Sequence, residues 1–215
     1  MKAYKFRTVQ NFDFVVDIII NKRLFCSDAR SLNDIREGDI RAGSNPGREG
    51  DAFTFGLKIE DALRHYRVCS LSKIFDNHLL WAYYAGGFTG LAIEVDIPEG
   101  DATVVRYGDD YIFLSDYFEK DDVEGAVRAA LSKKYSVWSH EEEVRVVTTK
   151  SFYELAEPIG RIIVGPRMSQ SMISALYLIC LHFGVQLERA VVADWGLYTV
   201  GAQPMGVEAR IGSAK

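Results

Sequence analysis

The last third of the chain carries the pattern that most restricts its fold. "RIIVGP" at 161–166 is a short apolar run ending in Gly-Pro, and "SQSMISALYLICLHF" behind it has helical length and a serine at its start. "VQLERAVVA" at 185–193 then reads as a second strand. Strand, helix and strand in that order make a β-α-β unit, whose crossover brings its two strands into parallel pairing. Any sheet built on that pair needs helices to cover it. A chain of 215 residues, 48% of them hydrophobic, can bury one substantial core. The expectation is one α+β domain over residues 1–200, a mixed sheet with flanking helices, followed by a small polar tail at 201–215.

The earlier elements fit that scheme. A strand is expected at 3–8, a helix at 11–22 with "FVVDIII" as its apolar face, and a short strand at "RLFCS". Residues 33–52, rich in Gly, Asp, Arg and Asn, read as a long loop, which in a compact domain is more often functional or disordered than inert. Ile59, Ala62, Leu63 and Tyr66 share one helical face over 58–66. "RVCSLS" is a strand, and "DNHLLWAYYA" a helix capped by Asp76 or Asn77 and stopped at Gly86-Gly87. "GLAIEVD" is a buried strand. "DDVEGAVRAALSKKY" is an amphipathic helix, with Asp121 and Asp122 at its start and two lysines as its solvated end.

Composition narrows the function classes. No apolar run approaches the ~20 residues that span a bilayer, and the N-terminus lacks an apolar segment before a cleavage site. A soluble cytoplasmic protein is expected. Cys26, Cys69 and Cys180 are far apart, odd in number and set among apolar neighbours, which suits buried thiols in a reducing compartment. The four histidines form no close pair, so no metal site is expected. A net charge of -5 makes nucleic acid an unfavourable partner. A small-molecule or nucleotide ligand remains open, as does the oligomeric state.

Three stretches can carry chemistry. In "WSHEEEVRVV", strand alternation would put Glu141, Glu143 and Arg145 on one exposed face, with Val144 and Val146 turned into the core. Same-face neighbours in a strand stand ~7 Å apart, so two carboxylates there would raise one pKa unless Arg145 relieved them. The arrangement reads either as a solvated strand with a Glu-Arg pair or as a glutamate pair at the rim of a cleft. In the second stretch, Ser70 and Ser72 share a strand face, and Trp81 and Tyr84 share a helical face beside Tyr83 and "GGFTG". Those aromatics are either core or a stacking wall for a planar ring. "GGFTG" precedes a strand, where a phosphate loop would precede a helix. In the third, Arg167 before a helix start could meet an anion.

Read together, "YKF" at 4–6, "RSLNDI", "VCSLS", "LLWAYYAGGFTGLAIEVD", "WSHEEEVR" and "IIVGP" resemble the bacterial domain-of-unknown-function family numbered 2971. The Trp-Xaa-Xaa-Glu-Xaa-Glu-Xaa-Arg pattern of residues 138–145 is the most specific of these. "NDIREGD" departs from that family's Asn-Asp-Pro-Phe-Glu turn. The resemblance implies a bacterial cytoplasmic α+β protein and no particular activity.

A second resemblance implies chemistry. Arg7, "SLS" at 70–72 and "EEE" at 141–143 are similar, in order, to the arginine, Ser-Xaa-Ser and Glu-Xaa-Glu elements of one class of ADP-ribosyltransferases. That likeness implies NAD as a substrate and no required cofactor. Arg7 would hold the pyrophosphate, Ser70 would brace the site, and Tyr83 or Tyr84 would stack on nicotinamide, with Ser72 and Trp81 counted among the cofactor-binding residues. Glu143 would stabilise the oxocarbenium-like transition state, and Glu141 would orient the acceptor. The alternatives are a non-enzymatic binding or regulatory module in bacterial stress or phage defence, and a metal-dependent nuclease using Glu141, Glu143 and an aspartate of the 33–52 loop.

Overall fold

The computed structural model describes residues 1–34, 37, 40–41 and 48–203. Much of the expected 33–52 loop, and the tail from 204 onward, lie outside the described residues. The fold is α+β with a mixed sheet, as the alternation of patterns implied. Contacts divide the chain into two compact units, each assembled from separated stretches. One holds Met1–Leu24, Leu71–Pro98 and Glu154–Lys215; the other holds Phe25–Ser70 and Glu99–Tyr153. Among the described residues, no helix is long and apolar enough to cross a membrane.

In the first unit the β-α-β prediction holds. Strands Arg161–Val164 and Gln186–Ala193 pair in parallel, with helix Gln170–Phe183 between them. The Ser169 hydroxyl accepts from Met172 N–H at 3.4 Å, and Gly184 closes the helix in the left-handed region at φ 69°. Antiparallel neighbours extend the sheet. Gly196–Gly201, a strand without a counterpart in the sequence reading, lies beside Gln186–Ala193. Leu91–Asp96 lies beside Arg161–Val164, Lys2–Arg7 follows, and Ser72 pairs with Tyr4.

One face of this sheet, with Phe6, Ala92, Ile163, Ala190 and Leu197, packs against Leu80, Trp81 and Ala85 around helix His78–Tyr84. Full burial of such a side chain is worth ~1.5–3 kcal/mol, so this face is a main source of the unit's stability. Asn77 caps that helix as expected, its side chain accepting from Leu79 N–H.

The "GGFTG" stretch is a structural turn. Gly86, Gly87 and Phe88 all have left-handed φ, at 56°, 65° and 72°, and a non-glycine residue holds that conformation only when its surroundings enforce it. Here they do. Arg167 N–H donates to the Phe88 carbonyl at 3.1 Å, and a Cβ on Gly165 would stand 2.1 Å from that oxygen. The Arg167 guanidinium lies over the Phe88 ring at 5.6 Å.

The polar end of the same sheet face is a closed ladder. Glu94 accepts from Lys2 Nζ at 2.7 Å, Tyr4 OH at 2.9 Å and Arg161 Nε at 2.8 Å. Arg161 also reaches Glu188 at 2.5 Å and Thr199 at 3.3 Å. Burial alone would raise the Glu94 pKa, but its three donors outweigh that and hold it low. Two cations face two carboxylates, so the ladder is neutral.

The second unit packs helix Glu49–Leu63 and helix Val123–Leu131 together, with Phe55, Ile59, Val68, Leu114, Val127 and Leu131 in its core. The first of these helices begins well before the expected 58. The second, capped by Asp122, stops at Leu131 before the lysines. Lys133 and Lys134 form a short strand parallel to Arg106–Tyr107, and both are buried. The expected solvated helix end is therefore overturned. Strand Glu143–Thr148 pairs antiparallel with Ala102–Val104.

Candidate functional site

The second unit gathers the residues of "WSHEEEVR" around one ammonium group. The chain leaves strand Lys133–Lys134, makes a 3-10 turn over Ser136–Glu141, and passes through Glu142 in the left-handed region at φ 43°. It enters the strand only at Glu143. Lys134 Nζ lies 2.6 Å from Glu141 Oε2 and 2.9 Å from Glu143 Oε2. The Trp138 ring covers the same ammonium, its centroid 5.2 Å away.

Arg145 completes the second half of the cluster. Its Nε donates to Glu143 Oε1 at 2.7 Å and its Nη2 to Glu143 Oε2 at 3.0 Å, a bidentate pair. Its Nη1 donates to the Leu131 carbonyl at 2.8 Å, placing a cation at the C-terminus of helix Val123–Leu131, where the helix dipole favours it. Its Nη2 also meets Glu37, whose carboxylate lies 3.5 Å from Lys134. The Ser70 hydroxyl donates to Glu143, and Glu143 N–H donates to the Tyr107 hydroxyl at 2.7 Å.

The electrostatics follow from burial and contact. Burial pushes the Glu143 carboxyl up, but Arg145, Lys134 and Ser70 overcome it and hold its pKa at about 2. Burial would strip protons from Lys134 and Arg145, yet the surrounding carboxylates raise both. Glu37 goes the other way: burial wins over Arg145 and Lys134, and its pKa is raised. The Tyr107 hydroxyl is pushed up to about 12, by burial first and then by the nearby glutamate charges.

This geometry corrects the exposed-strand expectation. Glu141 ends a 3-10 turn and is not in the strand. Glu143 is 3% exposed and Arg145 0%, so strand alternation separates two buried sides, one apolar and one ionic. Val144 and Val146 do face a core as expected. The carboxylates do not leave an open metal position, because Lys134 stands between them. Among the described residues no group of His, Cys, Asp and Glu could hold a metal ion.

The other candidate residues fall as follows. Ser70 belongs to the second unit and touches Glu143. Arg7, Ser72, Trp81, Tyr83 and Tyr84 belong to the first. Ser72 is buried, its hydroxyl accepting from Ile74 N–H at 3.1 Å. Trp81 is 0% exposed, donates its indole N–H to the Phe75 carbonyl at 2.6 Å, and packs edge-on against Phe6. It fills the core and offers no free face to a ligand ring. Tyr84 packs half-buried against the same core, whereas Tyr83 is 62% exposed. The Arg7 guanidinium lies 5.8 Å from the Phe14 ring centroid.

Lys134 and Glu37 are the members that sequence reasoning missed. A lysine pair after an amphipathic helix looks solvated, and Glu37 sits in a loop with no periodicity. The available signal was the excess of carboxylates in "HEEEVR" that lead into an apolar strand, which needs cations nearby.

No family model matches the chain, nor does any curated protein or solved structure.

Proposed function

We propose that the chain is a non-enzymatic binding or regulatory module, and that Glu141, Glu143 and Arg145 form its internal framework. The observation that carries this reading is the state of Glu143. Both of its carboxylate oxygens are bonded to cations, and its side chain is almost wholly out of contact with solvent. A glutamate that stabilises a developing positive charge needs an oxygen free to face it. Removing one partner of such a buried pair destabilises the fold, so the framework role predicts loss of stability as the main effect of substitution. Calorimetry with NAD and with ADP-ribose, together with an assay for nicotinamide release, tests it. Neither binding nor release is expected, and Glu143→Gln should lower the melting temperature. Nicotinamide release by the wild-type chain, lost in a Glu143→Gln variant of unchanged stability, overturns the reading.

One observation favours a second reading, an enzyme similar to ADP-ribosyltransferases. The Ser70 hydroxyl touches Glu143, so one residue of the Ser-Xaa-Ser element meets one of the Glu-Xaa-Glu element. On this reading NAD is the substrate, and a ribose hydroxyl replaces Lys134 or Arg145 on Glu143 when it binds. Ser70→Ala separates the two roles. It should reduce turnover at constant melting temperature if Ser70 orients a catalytic carboxylate, and alter only stability if Ser70 belongs to the framework.

A further inference from the structure

Two edge strands of this chain are finished differently. In the second unit, Ala102–Val104 is three residues long, and so short an edge offers little for another chain to pair with. In the first unit, Gly196–Gly201 runs for six residues beside Gln186–Ala193, in one unbroken register from Glu188 opposite Gly201 to Ala193 opposite Gly196. Its sequence, "GLYTVG", holds no proline and no charged residue. Charge, proline, a bulge or shortness is what keeps an edge from pairing, and this strand has none of them. Among the described residues no strand lies on its outer side.

The register fixes what that side presents. Ala202 N–H donates to the Leu187 carbonyl at 3.1 Å. Hydrogen-bonded pairs alternate in an antiparallel ladder, so Val200 with Arg189 and Tyr198 with Val191 are the next two. Leu197, Thr199 and Gly201 therefore turn their N–H and C=O groups outward. Tyr198 and Val200 share one face of the strand, 36% and 42% exposed. Trp195, 75% exposed, stacks on Tyr198 with the ring centroids 5.2 Å apart.

We propose that this edge is a dimer interface, where strand Gly196–Gly201 pairs antiparallel with the same strand of a second copy about a two-fold axis at Thr199. Outward-facing residues must meet outward-facing residues in the new ladder. Centred on Thr199, all three do so at once: Leu197 meets Gly201 of the partner subunit, Gly201 meets the partner's Leu197, and Thr199 meets the partner's Thr199. The same register sets Tyr198 opposite Val200 of the partner subunit, and symmetry repeats the contact. That position is a non-hydrogen-bonded one, where side chains stand closest, and an aromatic ring against a β-branched residue is a favourable cross-strand pair. A strand without charge meets no like-charge repulsion from its own copy. The strand is thus complementary to itself, which is what selects a second copy as its occupant. The dimer goes beyond both functional readings and depends on neither.

Sedimentation and light scattering of the full chain over a concentration series test this. A concentration-dependent dimer is expected, and in the wild type the amides of Leu197, Thr199 and Gly201 should exchange with solvent more slowly in the dimer than in dilute solution. Combining Tyr198→Lys with Val200→Lys sets like charges opposite one another and should weaken the dimer at least ~tenfold. Combining Tyr198→Lys with Val200→Glu sets opposite charges in the same places and should recover dimer relative to the first pair. A wild-type chain that stays monomeric at ~100 μM overturns the proposal. So does a dimer whose formation leaves those three amides unchanged, or one that the two double variants affect alike.

Discussion

Lys134 Nζ stands 2.6 Å from the Glu141 carboxylate, at a place where three glutamates would otherwise repel one another. This contact accounts for the crowding of like charges in "HEEEVR". The ammonium occupies the centre that a bound cation would take in a metal-dependent site, so the cluster carries its own counterion.

Replacing that counterion should be costly. Lys134→Met removes the ammonium that bonds the buried Glu141 and Glu143 carboxylates, and breaking a buried pair from one side costs ~3–5 kcal/mol. Urea unfolding is expected to show a loss of that order. Adding Glu141→Gln to Lys134→Met should recover part of it, and a double variant no more stable than the single would refute the pairing.

Acid unfolding should report Glu143. Its folded pKa of about 2 lies below the unfolded glutamate value. Its stabilisation is therefore present above ~4.3 and is lost as pH falls from there towards 2. Glu143→Gln should unfold with a flatter pH dependence over that acid interval, whatever its stability at neutral pH. A variant with the wild-type acid slope would show that Glu143 is not the group responsible.

The aromatic residues of helix His78–Tyr84 should separate into core and surface. Trp81→Ala removes a wholly buried ring and should cost ~3–5 kcal/mol. Tyr83→Ala, on the exposed side, should change stability by no more than ~0.5 kcal/mol. Thermal melts of the two variants suffice, and equal losses would contradict the packing described.

Two glycines should respond unequally to alanine. At Gly184 a Cβ meets nothing within 4 Å, so the cost is the left-handed conformation alone, ~1–2 kcal/mol. At Gly165 a Cβ would meet the Phe88 carbonyl at 2.1 Å and force the "GGFTG" turn to move. Gly165→Ala should be the more destabilising of the pair in chemical denaturation.

The regular parts of the fold were legible because local pattern and burial agree there. The β-α-β unit has a serine cap, a left-handed glycine at its end and two apolar strands, and each signal points to the same structure. The buried strand Leu91–Asp96 was equally plain, although its Glu94 needs three donors from two other strands. The ionic cluster was not legible, because its meaning lies in contacts distant along the chain. Lys134 and Glu37 are separated by 97 positions, and neither belongs to a periodic segment. Strand alternation also misplaced Glu141, since period-2 reasoning assumes that the strand has already begun. A helix-ending lysine pair is normally solvated; here Leu131 ends the helix and the next residues turn inward.

The left-handed residue Glu142 gives the motif an unusual kind of rigidity. It turns the backbone between Glu141 and Glu143, so the two carboxylates approach one ammonium from different types of backbone. The interval between Trp138 and Arg145 therefore acts as a ruler. Inserting one residue after Glu141 would keep every side chain and lengthen the turn that sets Glu141 against the strand carrying Glu143 and Arg145. What the segment encodes is a distance along the chain, and its chemistry is legible only while that distance is kept.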